Sequence, residues 1–275
     1  MLERSIQKGI ILAGGAGTRL YPVTKVISKQ LLPIYNKPMI YYPLSTLINS
    51  GIKEIMIIST PDDQMLFKRL LGDGSQWKVN FEYMIQEKPE GIAQALIIAE
   101  KFVGNSPMAL MLGDNFFYGN NLEEILISSS KKNISTIFAY EVKDPTRYGI
   151  ISSNKKGIPN KISEKPKKPE SNFAVTGLYF FENQAIKVAK SLKPSKRGEL
   201  EITDINLKYL EMGSLRVTIL DDNIEWLDTG THDSLIDASI FIREIQNRKN
   251  CLIGSIELIA YENGWLSDMN IKNIK

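Results

Sequence analysis

The chain is poor in the residues that most often build metal and redox sites: it has one cysteine and one histidine in 275 residues. Cys251 has no partner for an internal disulfide, and a cysteine-based zinc site is excluded. His232 alone excludes metal sites that need two or more imidazoles. Charge of one sign is also lacking. Lys+Arg total 34 and Asp+Glu 31, so the net charge of +3 argues for neither a nucleic acid nor a membrane surface as partner. Long apolar runs are missing as well. The uncharged stretch between Lys37 and Lys53 holds two prolines and falls short of the ~20 apolar residues that a span requires. Met1-Leu2-Glu3-Arg4-Ser5 carries an acid and leads into no long apolar stretch with a cleavage site. A secretory signal is therefore not expected, and a cytoplasmic location is. With 43% hydrophobic and 24% charged residues, the composition excludes disorder and coiled coil for the whole chain.

What is present is an alternation of short apolar runs and amphipathic segments. Residues 9–13, 54–58, 81–85 and 108–112 read as strands. Residues 39–50, 63–71 and 91–102 read as the helices between them. Beyond residue 112, strands are expected over 135–140, 149–152, 175–181 and 215–220, and helices over 184–191, 201–212, 234–248 and 255–262. The run Lys165-Pro166-Lys167-Lys168-Pro169 is a stiff basic loop. The alternation predicts an α/β layer fold with a mostly parallel sheet. No repeat and no Gly/Ser linker divides the chain, so one large domain with insertions and a C-terminal appendage is expected.

The strongest local signal follows the first strand: Leu12-Ala13-Gly14-Gly15-Ala16-Gly17-Thr18-Arg19. A glycine-rich turn lets backbone N–H groups approach phosphate oxygens. The run is not a P-loop, because no Gly-Lys-Ser/Thr ends it. It departs from a dinucleotide fingerprint too, since the second strand ends at Ser59-Thr60 and not at an acid. Arg19 directly after the turn suggests a di- or triphosphate, with Lys25 and Lys29 as further cations. Taken alone, the glycines also fit a plain strand-to-helix turn and the lysines a solvated loop. Gly113-Asp114-Asn115 sits past the fourth strand, at the edge where α/β sheets bind ligands. Asp114, with Asp228 of Trp226-Leu227-Asp228-Thr229-Gly230, is a candidate for Mg²⁺, which prefers hard oxygen ligands. A turn-forming role for Asp114 remains open, and spacing alone does not bring the two acids together. Gln86, at the end of the third strand, suits either a nucleobase edge or a polar strand cap.

The run Lys8 to Pro22 resembles the signature of sugar-1-phosphate nucleotidylyltransferases, and Ser28-Lys29-Gln30-Leu31-Leu32-Pro33 narrows the resemblance to glucose-1-phosphate thymidylyltransferases. It continues through Leu112 to Asn115, Asp144 to Gly149, Val175 to Tyr179, Arg197 to Asp204 and Trp226 to Asp233, and so covers nearly the whole chain. The resemblance implies a Rossmann-like three-layer fold with sugar-binding insertions and a C-terminal helical appendage. Residues about 1–120 would then be mainly nucleotide-binding, about 121–233 mainly sugar-binding, and about 234–275 an oligomerisation or regulatory appendage. The implied reaction joins dTTP and glucose 1-phosphate into dTDP-glucose and pyrophosphate with Mg²⁺, in a homotetramer. Gly14, Gly17, Thr18 and Arg19 match the triphosphate loop, with Arg19 on the leaving pyrophosphate. Lys29 and Gln30 match further polyphosphate and nucleotide contacts, and Gln86 and Gly91 the thymine positions. Asp114 and Asp228 match the magnesium ligands. Tyr148, Gly149, Glu164 and Val175 match the sugar positions, and Lys165 the residue that holds the sugar phosphate.

Relatives of this kind carry cations at a second nucleotide site, where dTDP-rhamnose inhibits. Here Asp221-Asp222-Asn223 and Glu262 stand in those places, so weakened feedback is expected. Three other readings compete: UTP or another hexose 1-phosphate as substrate, a non-catalytic sugar-nucleotide-binding regulator, and an NAD(P) dehydrogenase. Retention of Arg19, Lys165, Asp114 and Asp228 weighs against the regulator, and the missing acid after the second strand against the dehydrogenase.

Overall fold

The computed structural model describes residues 6–15, 17–130, 134–154 and 158–267. Ala16 of the glycine-rich run, the N-terminal residues 1–5 and residues 268–275 of the C-terminal appendage lie outside them. The chain forms two compact units. One consists of Gln7–Pro89, Met111–Tyr118 and the chain from Glu225 on; the other of Glu90–Leu110 and Gly119–Ile224, with Ile6. Among the described residues no helix is long and apolar enough to cross a membrane.

In the first unit, strands Lys8–Ala13, Glu54–Ser59 and Asn80–Ile85 form a parallel ladder. The register sets Ala13 against Ser59 and Ser59 against Ile85, so the three strands end level. Parallel neighbours need crossovers. Helices Tyr41–Asn49 and Gln64–Leu71 supply them. The first helix lies close on the strands: a side chain at Gly9 would stand 2.9 Å from Leu47 Cδ1. Helix His232–Lys249 closes the unit, its start fixed by a reciprocal cap between Thr231 and Ser234. Its Ala238, Ile242 and Ile245 join Ile34, Met39, Tyr42, Phe116 and Ile253 in one apolar cluster. The short helix Ile256–Glu262 packs on helix Tyr41–Asn49, and Trp77 Nε1 donates to Glu257 Oε1 at 2.9 Å.

In the other unit, strand Ser135–Glu141 runs antiparallel to Phe173–Phe181 and parallel to Leu215–Ile219. Gly149–Ser153 pairs antiparallel with Pro159–Glu164, which puts Gly149 opposite Glu164. Helix Ile202–Glu211 packs on Pro159–Glu164. The α/β class is as expected; in the main sheet the antiparallel pairings of strands Ser135–Glu141, Gly149–Ser153, Pro159–Glu164 and Phe173–Phe181 lie in this second unit.

Two differences from the sequence reading have clear causes. The helix expected over 91–102 is two short ones, Gln94–Ile98 and Glu100–Val103. Gly91 stays outside them at φ +107, with Ala93 N donating to Leu200 O and Leu200 N to Glu90 O. Those bonds to a distant loop hold the start of the segment out of helical geometry. Strands Asn115–Gly119 and Ile224–Asp228 were not read as such, yet they pair with each other. Each is one side of a two-stranded ribbon, and its partner lies far along the chain.

Tyr42 is buried, and its hydroxyl donates to Ile34 O at 2.6 Å. Tyr42→Phe would remove that buried hydrogen bond. The expected loss is about 0.5–1.5 kcal/mol, read as a lower urea midpoint at unchanged m-value.

Candidate active site

The level strand ends of the first unit place the glycine-rich turn. Gly14 follows Ala13, and a Cβ there would stand 2.8 Å from Gln86 Oε1. Gln86 is buried, and its backbone N–H donates to Ser59 O at 2.8 Å. The amide expected to face a nucleobase therefore lies directly against the backbone of the turn. Gly17 has φ +56, and its carbonyl accepts from Thr24 Oγ1 at 2.7 Å. A left-handed residue at this point starts the tight turn Thr18–Leu20, which leaves Thr18 and Arg19 exposed.

Lys29 and Asp114 form an ion pair, with side-chain exposures of 12% and 15%. Burial opposes the Asp114 charge. The Lys29 ammonium and the Asn115 amide outweigh it and hold the carboxyl below the usual carboxylate range. Gln30, next in sequence, is buried, and its side-chain amide accepts from Ser28 Oγ at 2.8 Å. Gly113 lets the Gln30 side chain lie close to the first strand: a Cβ there would stand 2.9 Å from Gln30 Cγ and 3.0 Å from Leu12 O.

The second expected acid is tied to the first by its own loop. Thr229 Oγ1 donates to Asp114 O at 2.8 Å, and Trp226 Nε1 to Asn115 Oδ1 at 2.6 Å. Gly230 separates Asp228 from Arg19. A Cβ at Gly230 would stand 3.0 Å from Asp228 Oδ1 and 3.1 Å from Arg19 Nη2. The structure thus draws Arg19, Lys29, Asp114 and Asp228 into one neighbourhood. Lys25 goes elsewhere: its ammonium lies 5.7 Å from the centre of the Tyr21 ring. His232 Nε2 lies 3.3 Å from Tyr21 O.

The second unit gathers another cluster. A Cβ at Gly149 would stand 3.3 Å from Thr203 Oγ1, 3.4 Å from Glu164 Oε2 and 3.8 Å from Val175 Cγ2. Thr203 Oγ1 donates to Glu164 Oε2 at 2.6 Å. Lys165 takes the left-handed φ of +42; its N–H donates to Tyr148 O at 2.9 Å, and its Nζ lies 3.6 Å from Glu164 Oε1. Gly91 belongs to this unit, close against Leu200, where a Cβ would stand 2.6 Å from Leu200 N. Arg197 Nη2 lies 2.7 Å from Glu201, 3.3 Å from Glu199 and 3.6 Å from Glu164. Partial burial works against the Arg197 charge, but these acids hold its pKa above the ordinary value. Burial, together with Glu201 and Glu164, pushes the Asp204 carboxyl up.

Several of these residues were not singled out as site residues from sequence: Asn115, Trp226, Thr229 and Gly230 in the first unit, and Thr203, Arg197 and Glu201 in the second. All lie inside motifs that carry the resemblance, which is the signal that would have found them. Among the described residues no group of three or more His, Cys, Asp or Glu side chains could hold a metal. Two carboxylates suit Mg²⁺, which keeps several waters and shares substrate phosphates, and do not suit an all-protein zinc cage.

The Lys29–Asp114 pair has a pH signature. A carboxyl whose folded pKa is depressed contributes stability above its unfolded value of about 3.9, and loses it as pH falls through the folded value. Lys29→Met should lower stability at pH 7 by about 3–5 kcal/mol and flatten the loss between pH 5 and pH 2. Urea unfolding across that range checks both.

Residues 8–245 match the model of the nucleotidyl transferase family. A glucose-1-phosphate thymidylyltransferase of Neisseria meningitidis is 53% identical over 268 residues, 97% of this chain and 93% of that protein. A crystallised chain from Bacillus anthracis, assigned to the glucose-1-phosphate thymidylyltransferases, is 43% identical with a TM-score of 0.80. It covers 86% of this chain, and this chain covers 96% of it. A UDP-glucose pyrophosphorylase solved with UDP-glucose is 25% identical with a TM-score of 0.76, over 87% of this chain and 99% of that one.

Proposed function

The chain belongs to the nucleotidyl transferase family, and we propose that it transfers a thymidylyl group from dTTP to glucose 1-phosphate, giving dTDP-glucose and pyrophosphate. The observation that carries this reading is the neighbourhood of Arg19, Lys29, Asp114 and Asp228 around Thr229 and Gly230. Two cations and two hard-oxygen acids at the end of a parallel sheet suit a polyphosphate and its metal. Gly14, Gly17 and Thr18 border the triphosphate, Gln30 adds a nucleotide contact, and Gln86 and Gly91 receive the thymine. Tyr148, Gly149, Glu164 and Val175 hold the sugar, and Lys165 its phosphate.

The chemistry asks little of proton transfer. A phosphomonoester has a second pKa of about 6, so glucose 1-phosphate is mostly a dianion at pH 7 and needs no general base. A chain with one histidine is not handicapped. The requirement is alignment of two anions and neutralisation of the departing pyrophosphate. Arg19 and Lys29 supply positive charge for that group, and Lys165 holds the acceptor phosphate. Asp114 and Asp228 would hold Mg²⁺, which when bound withdraws charge from phosphate oxygens. The reaction is a single displacement at the α-phosphorus, with inversion there. The resemblance supports a cytoplasmic homotetramer, and the acids Asp221, Asp222 and Glu262 support weak feedback by dTDP-rhamnose.

A second reading keeps the chemistry and changes the base to uracil. The likeness to a UDP-glucose pyrophosphorylase favours it. Thymine and uracil differ by one methyl group, a discrimination of about 10–200-fold in a pocket. Pyrophosphate release is expected with dTTP, glucose 1-phosphate and Mg²⁺ together, and with UTP at a kcat/KM lower by about that factor. Arg19→Ala should lower kcat by about 10²–10³-fold, and Asp114→Asn with Asp228→Asn should abolish release. No release with either nucleotide, despite measurable dTTP binding, would return the chain to the regulatory reading.

A further inference from the structure

Asp114 has a different partner on each carboxylate oxygen. Oδ1 accepts from Asn115 Nδ2 at 3.0 Å, and Oδ2 is paired with the Lys29 ammonium. The two partners differ in freedom. Asn115 is 3% exposed, and its own oxygen accepts from Trp226 Nε1 at 2.6 Å. An indole N–H can only donate, so the Asn115 oxygen must face Trp226. Its NH₂ group then has to face Asp114. A flipped amide would set donor against donor at the indole and oxygen against oxygen at the carboxylate. Trp226 is itself buried, two residues before Asp228 on the strand Ile224–Asp228. Lys29 reaches the other oxygen on a flexible four-carbon stem, as a point charge with rotatable donors.

We propose that Asn115, oriented by Trp226, is a positioning residue that keeps Oδ1 of Asp114 fixed while Oδ2 changes partner between the Lys29 ammonium and a divalent cation. The proposal rests on the reading of Asp114 as a metal carboxylate. A cation that takes Oδ2 releases Lys29, and a polyphosphate that draws Lys29 away releases Oδ2. Each ligand therefore removes the competitor of the other, so each raises the affinity of the other by the same factor.

The test uses the full chain and Mn²⁺ alone as the probe, titrated calorimetrically. Asn115→Leu and Trp226→Phe should each weaken Mn²⁺ binding about 10–100-fold, as loss of a group that orients a metal ligand does. Lys29→Met should tighten it severalfold, because the competing cation is gone. A merely structural role would weaken all three variants alike. The unaltered protein gives an independent readout, since it has only three tryptophans: Trp77, Trp226 and Trp265. The Trp226 indole N–H resonance should lie downfield of free indole and move in Asn115→Leu, while the other two stay in place.

Equal Mn²⁺ affinity in Asn115→Leu, Trp226→Phe and the parent would overturn the proposal. So would a Trp226 resonance at the free-indole position, or a parent that releases pyrophosphate yet binds no Mn²⁺. In that last case thymidylyl transfer stands and the proposal fails. The expected Mn²⁺ pattern without turnover of any nucleotide would have the reverse meaning.

Discussion

The largely buried ion pair between Asp114 and Lys29 is the interaction on which the loops of the first unit depend. A carboxylate taken out of water is costly unless a cation and further hydrogen bonds compensate it. The ammonium and the Asn115 amide do so here. Meeting that requirement pins three loops that are distant in sequence: the turn around Lys29 and Gln30, the strand end at Gly113 and Asp114, and the loop from Trp226 to Gly230. Thr229 on the Asp114 carbonyl and Trp226 on Asn115 complete the tie. Arg19 and Asp228 are placed as a consequence, with glycine at position 230 leaving room between them.

The second unit solves its placement problem by register. An antiparallel pairing sets Gly149 opposite Glu164, and helix Ile202–Glu211 brings Thr203 onto the same carboxylate. Glycine at 149 keeps the space among Thr203, Glu164 and Val175 free of a side chain. Arg197 is surrounded by three glutamates, so its charge is engaged within the protein. Lys165 is half exposed and near one glutamate. The two cations thus differ in their surroundings: Arg197 has three carboxylates close by and Lys165 one.

Much of this was legible in residue order. The apolar runs ending at Ala13, Ile58 and Leu112 marked strands buried on both faces, the half-exposed strand ending at Ile85 lies at the edge of the sheet, and the boundaries hold to within a residue or two. The glycines before Arg19 and the acid after Leu112 marked the strand ends at which α/β proteins bind ligands. The helix over 91–102 was misjudged because its apolar spacing is helical while its first residues are bound to Leu200. The ribbon of Asn115–Gly119 with Ile224–Asp228 escaped notice because a short strand gains its stability from a partner that periodicity does not reveal.

By itself the sequence determined the class of fold, the alternation of elements and the kinds of chemistry open to the chain. These follow from local pattern: hydrophobic period, glycine at turns, the scarcity of histidine and cysteine, and motifs read in order. Only the tertiary structure decided that Asp228 is tied to Asp114, that Lys29 faces Asp114 while Lys25 does not, and that Asn115 has a single orientation. Charge pairing and hydrogen bonding act across space between groups roughly 3 Å apart, whatever their separation along the chain, and residue order does not encode that separation directly.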